Sequence, residues 1–442
     1  MATLEGIGSI TGSGEPPPLW RSWSVWIIAA SFYLAAFYVR VSPAVMTHEL
    51  MRDFHISARD LGNFSAFYFY AYVLMQIPTG VLVDSWGARK LLIVGAICAG
   101  SGTFLFASSG SFALACAGRA LVGASTAVGW VVMLKLATHW FPARRFATLS
   151  GLGLLVGNIG ALFAQVPLRL LVESFGWRTV ALASALFMLA TGALAMAVVR
   201  NDPSALGFAT YAPAALQQRR PETLLQLLKG FRKIFAYRNT WLIFCAQGGF
   251  VGAMLSFTGL WGAPFLKARY AVPSATAAAI CSVMIVCWAS SSLLCGYLSD
   301  RFGRRKPIYV SGAAAAALGW GILFYVPGIP LWLFIGIAAL TSFAAGAVIL
   351  GFAFAKESVP VQFLGTISGA INAGNMIGPM LLQPAIGWVL DRQWEGQLTA
   401  GTRVFGLHAF HAAFGLILAW AVVSFLLASA TRDTACRQLA ME

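Results

Sequence analysis

Apolar runs long enough to cross a bilayer recur along this chain, divided by short polar breaks. At a rise of about 1.5 Å per residue, a helix needs about 20 apolar residues to span the hydrocarbon. With 59% of its residues hydrophobic and only 10% charged, the chain cannot hide its apolar side chains in one water-soluble core, so its solvent is lipid. In lipid the backbone must satisfy its own hydrogen bonds, so each run is expected as a helix.

Twelve spans are expected, six in each half. The first six run over Trp23–Met46, Leu61–Val83, Leu91–Ala107, Phe112–Leu136, Phe146–Val172 and Thr179–Val199. The second six run over Thr240–Phe265, Thr276–Leu298, Pro307–Tyr325, Leu331–Ala355, Leu364–Leu390 and Leu407–Leu427. This predicts a disordered cytoplasmic tail at 1–22, a six-helix bundle at 23–200, a cytoplasmic linker at 201–239, a second bundle at 240–428 and a cytoplasmic tail at 429–442. Within the linker, Leu224, Leu225, Leu227, Leu228, Phe231, Ile234 and Phe235 recur at helical spacing against Lys229, Arg232 and Lys233. An amphipathic helix lying on the inner leaflet fits that pattern.

The net charge of +15 follows the same topology. Cationic loops stay on the cytoplasmic side. With both termini inside, most Lys and Arg fall in inner loops and tails, among them Arg89, Lys90, Arg144, Arg145, Arg232, Lys233, Arg304, Arg305 and Lys306. Basicity that marks orientation makes no case for nucleic acid as a partner. The seven cysteines have no paired metal-ligand spacing, and no phosphate-cradling loop or paired acid appears. The expectation is therefore a non-enzyme without cofactor or metal.

The halves are repeats. Gly80-x-x-x-Asp84-x-x-Gly87-x-Arg89-Lys90 returns as Gly296-x-x-x-Asp300-x-x-Gly303-x-Arg305-Lys306. Farther along, Ala147-Thr148-Leu149-Ser150-Gly151 matches Gly365-Thr366-Ile367-Ser368-Gly369, and at the same offset Gly160 meets Gly378 and Gln165 meets Gln383. Small residues let helices approach closely, here expected where two bundles move against each other. Two pseudo-symmetric bundles point to alternating access.

The spans, the central linker and the two Gly-x-x-x-Asp-x-x-Gly-x-Arg-Lys loops resemble the major facilitator superfamily over nearly the whole chain. The resemblance implies an all-α membrane protein, with twelve transmembrane helices in two pseudo-symmetric six-helix bundles (the major facilitator fold), acting as a monomeric secondary transporter. It also implies that Asp84 and Asp300, among Arg89, Lys90, Arg305 and Lys306, gate the cytoplasmic side through ion pairs that break and reform.

Charges inside a membrane usually face a cavity and act there. No Asp or Glu lies near the middle of an expected span, whereas Arg40, Arg119, Lys135 and Arg169 fall within spans. Arg40 is the leading candidate, because a guanidinium fork suits carboxylate and phosphate. Lys135 either lines the cavity or reaches the cytoplasm. The stretch from Phe37 to Lys90 resembles the anion:cation symporter and organophosphate antiporter branches. This implies that Arg40 binds the substrate's anionic group, that Tyr72 lines the cavity and that Lys135 stands where the symporters carry a second arginine. Val39 departs from that pattern, since many symporters carry an acid there. Arg119, in Arg119-x-x-x-Gly123, resembles a helix-four motif linked to proton coupling; a structural role is the other reading.

Tyr68, Gln76, Asn158, Gln165, Gln247, Asn372, Asn375 and Gln383 could complete the cavity or bond helix to helix. The function expected is transport of a small organic anion, such as a carboxylate, sugar acid or organophosphate, across a bacterial inner membrane, with H+ or Na+ as candidate co-transported ions. Transport of zwitterionic amino acids or small peptides, efflux of amphipathic compounds, and a non-transporting receptor on the same scaffold are the alternatives.

Overall fold

The computed structural model describes residues 15–212, 230–360, 363–399 and 402–437. The helices in membrane-spanning positions, in chain order, are α1 (Leu19–Val45), α2 (Ala58–Ser85), α3 (Gly87–Ser108), α4 (Phe112–Trp140), α5 (Ala143–Phe175) and α6 (Trp177–Val198). The second half follows with α7 (Arg238–Tyr270), α8 (Ser274–Phe302), α9 (Lys306–Tyr325), α10 (Leu331–Glu357), α11 (Leu364–Arg392) and α12 (Leu407–Ala430).

Among the described residues, 10 of these are long and apolar enough to cross a membrane on composition alone. The other two are the polar ones. α2 qualifies only as two pieces, Ala58–Gln76 and Pro78–Ser85, bent by 58°. Pro78 has no N–H to give to the turn before it, and its ring pushes that turn aside. α11 is diluted by Asn372, Asn375, Gln383, Pro379 and Pro384. The remaining breaks are local: a 3-10 turn at Ser42–Val45 led by Pro43, a wide turn at Phe257–Trp261 and a 3-10 turn at Gly346–Ile349.

The duplication seen in the sequence reappears in the packing. α1 lies on α5 as α7 lies on α11, α3 lies on α6 as α9 on α12, and α4 packs on α2 and α3 as α10 does on α8 and α9. The halves meet through α2 on α11 and α5 on α8, which are equivalent pairs under the repeat. The matched glycines belong to the packing within each half. A β-carbon on Gly160 would collide with the Leu34 carbonyl of α1, and one on Gly378 with the Gly248 carbonyl of α7. The expectation that this pair sits between the bundles is corrected accordingly: Gly62 and Gly387 hold that position. A β-carbon on Gly62 would strike the backbone of Gln383 and Pro384, and one on Gly387 the carbonyl of Ala58.

The start of the linker folds back onto the first half. Asp202 accepts from the Ser204 amide at 2.8 Å and from Thr210 at 2.8 Å, and lies 2.7 Å from His139 Nδ1 at the end of α4. Burial raises the Asp202 pKa, but the hydrogen bonds from His139, Ser204 and Thr210 outweigh it and hold the carboxyl below the ordinary carboxylate range. Residues 1–14 of the expected tail and 223–229 of the expected amphipathic helix lie outside the described residues, while 230–234 are helical.

Candidate functional site

The site begins where α1 ends. Pro43 cannot continue a helix, so the last regular turn of α1 leaves carbonyls without helical donors. Arg119, from α4, supplies them: its guanidinium donates to the carbonyls of Val39 and Arg40, the latter at 2.9 Å. It is buried, and lies 5.0 Å from the Tyr68 ring centroid. On its other side is a cavity of about 20 Å³ lined by Tyr38, Ser42, Thr103 and Ser184, large enough for one water.

Held there, the Arg40 side chain enters a box of rings. Its exposure is 7%, its Nε donates to the Tyr68 hydroxyl at 3.2 Å, and its guanidinium carbon lies 4.4 Å from the Phe37 ring, 5.1 Å from Tyr72 and 5.7 Å from Tyr68. Tyr68 and Tyr72 are stacked with centroids 5.8 Å apart, and Thr126 Oγ1 lies 2.9 Å from the Tyr68 hydroxyl. Tyr33 and Trp130 extend the aromatic wall beyond Phe37. Among the described residues no carboxylate pairs with Arg40, and its two terminal nitrogens make no hydrogen bond. A buried cation without a counter-charge is costly, and an anion arriving between those nitrogens would supply one.

Tyr68, Tyr72 and Gln76 follow at intervals of one helical turn along one face of α2. Asn372 of α11 donates to Gln76 Oε1 at 2.7 Å, a bond between the halves. Asn375, one turn on, is buried with its Oδ1 unpartnered among the described residues. Gln165 donates to the Thr258 carbonyl across the halves at 3.1 Å. Gln383 and Gln247 turn into the second half instead, donating to the carbonyls of Leu255 and Val348. Asn158 bonds back to Leu154 of its own helix.

Lys135 is elsewhere. Its ammonium sits 2.6 Å from Asp84 and 2.9 Å from the Val83 carbonyl, tying α4 to the far end of α2. In the second loop Asp300 pairs with Arg305 at 2.6 Å, and Arg305 reaches Glu357 of α10 at 2.9 Å. Arg89 donates to the Met196 carbonyl, Lys306 to that of Thr431, and Lys90 is exposed. These bonds all lie within one half in this conformation. Arg169 pairs with Glu49 and Glu173 at the opposite end.

That opposite end, where α1 gives way to α2, is where the halves close. Asp391 of α11 accepts from the amides of Ala58 and Arg59 at 3.2 and 2.8 Å, capping α2 from the other half, and also takes a bond from Arg403. Phe37, Thr126, Trp130 and this cap are absent from the sequence expectations. Only Phe37, one turn before Arg40, left a local signal.

Residues 25–287 and 248–435 match the family model described as Major Facilitator Superfamily. The chain is 24% identical to a putative tartrate transporter of Agrobacterium vitis over 88% of either protein. It is 23% identical to a probable hexose phosphate transport protein of Chlamydia pneumoniae over 70% of each. Its fold resembles the crystal structure of a bacterial homologue of the human lysosomal transporter Spinster, inward-facing and occupied. The TM-score is 0.72 at 16% identity, covering 93% of this chain and 97% of the other.

Proposed function

The chain belongs to the major facilitator superfamily and is an integral membrane transporter, and from that premise we propose that it moves a small organic anion by rocking its two bundles around Arg40. The observation that carries this reading is the unpaired, aromatic-boxed guanidinium, open at both terminal nitrogens and anchored from behind by Arg119. Carboxylate, sugar-acid and organophosphate substrates all offer two oxygens to such a fork. The names of the tartrate and hexose phosphate relatives favour the same class.

In this reading both termini are cytoplasmic, the membrane is a bacterial inner membrane and the transporter acts as a monomer, with H+ or Na+ as the co-transported ion. The bundles comprise residues 23–200 and 240–428, joined by the linker at 201–239 and flanked by tails at 1–22 and 429–442. The end closed by Asp391 is then the outer one, and the conformation is closed to the outside. Asp84, Lys135, Asp300, Arg305 and Glu357 stand at the inner end, ready to exchange partners as the bundles rock.

The test is uptake of labelled organic anions into proteoliposomes containing the purified chain. Replacing Arg40 with Ala removes the cationic partner proposed for the anion and should lower uptake by at least ~30-fold, the equivalent of a loss of about 2 kcal/mol. Undiminished uptake by that variant sinks the proposal.

A further inference from the structure

The four cations that the sequence places inside apolar runs are unequally committed. Arg169 is held by two glutamates, Lys135 by Asp84, and Arg119 by two backbone carbonyls. Among the described residues, Arg40 has only the Tyr68 hydroxyl as a hydrogen-bond partner, accepting from Nε. One cation is thus open to substrate among these four. The rest of that face of α2 is neutral: Tyr72, then Gln76 bonded to Asn372 of the opposite half. From the level of Tyr72, which faces the guanidinium, Gln76 lies one turn farther, about 6 Å along the helix. An acid of roughly five or six carbons, with bonds of about 1.5 Å, covers that distance.

Resting on the anion reading above, we infer that the substrate is a monoanion with a neutral hydrogen-bonding tail, a hydroxy acid, and not a dicarboxylate or phosphate dianion. The carboxylate sits in the Arg40 fork, and the tail reaches the Gln76–Asn372 amide pair. That pair offers both an N–H donor and a carbonyl acceptor, so a hydroxyl can bond to it without carrying charge. A second carboxylate at the same place would lose hydration and meet the two amides, neither of which is bonded to a cation among the described residues. Because Gln76 sits at the 58° bend of α2 and its bond crosses the halves, the tail is read where the bundles touch.

The test is ligand binding to the purified full-length chain, by thermal shift and by titration, with matched acids. Aldonates of four to six carbons are compared with the corresponding aldarates. The inference expects at least one monoacid to bind at least ~10-fold tighter than its diacid partner, to lose that binding in Arg40→Gln, and to be weakened in Gln76→Leu. Simple carboxylates without a polar tail should be indifferent to Gln76→Leu. Diacids that bind as tightly as their monoacid partners, or tighter, with both lost in Arg40→Gln, overturn the inference and leave the anion reading intact. If a diacid preference disappears in Lys135→Gln, Lys135 leaves Asp84 to join the site, and the inference is overturned by a named cause. Binding unchanged in a monodisperse Arg40→Gln, or no binding by any acid, overturns the anion reading and this one with it.

Discussion

Arg40 is held in place by its neighbours. Arg119 fixes the backbone at Val39 and Arg40, and Tyr68 turns the side chain by accepting from Nε. A hydrogen bond to a charged group contributes about 1.5–3 kcal/mol. Tyr68→Phe keeps the ring against Arg40 but removes the acceptor, and should raise the apparent KM for uptake by ~10-fold or more at normal expression. Arg119→Lys keeps the charge but cannot serve two adjacent carbonyls with one planar fork. It should show the same rise in KM, whereas a purely coupling role for Arg119 would alter the pH profile of uptake and spare substrate affinity.

At the scale of elements, two features follow from side chains that satisfy backbone groups. The linker segment containing the short helix Pro203–Leu206 is fastened through Asp202, which accepts from Ser204, Thr210 and His139. Its folded pKa is depressed, so the stability it contributes is present above the unfolded carboxylate value of about 3.9 and is lost as pH falls through the folded value. Amide protection at 204–212, taken against intrinsic exchange at the same pH, should therefore fall as the pH drops below about 4, and Asp202→Asn should show the lower protection already at neutral pH. Equal protection in the two proteins at neutral pH would rule out the clasp. α2 supplies the second feature. Pro78 bends it just past Gln76, which lets one helix line the Arg40 box and still reach α11.

The whole molecule is closed at one end by backbone-to-backbone proximity between α2 and α11 and by the Asp391 cap. In the proposed rocking cycle, movement between bundles opens these contacts. A double variant, Arg59→Cys with Asp391→Cys, places one thiol on each half at the contact where the Arg59 backbone amide donates to the Asp391 carboxylate at 2.8 Å. Oxidation should trap this end shut and bring uptake to background, with recovery on reduction. Full uptake after demonstrated cross-linking would mean that this end does not open in the cycle.

Read alone, the sequence determined the solvent, the helical class, the duplication and the place of Arg40 as a charge within an apolar run, because apolar run length, repeated spacing and a charge in an apolar run are all local properties. The matched glycines Gly160 and Gly378 were visible as a repeat, yet their partners, Leu34 and Gly248, were not. Only the tertiary structure decided that Lys135 meets Asp84 rather than Arg40, that Gln76 meets Asn372, and that Asp391 caps the opposite half. Helical periodicity reports which residues share a face. Which face of which helix it then meets, and at what depth, is fixed by the close packing of all twelve helices together.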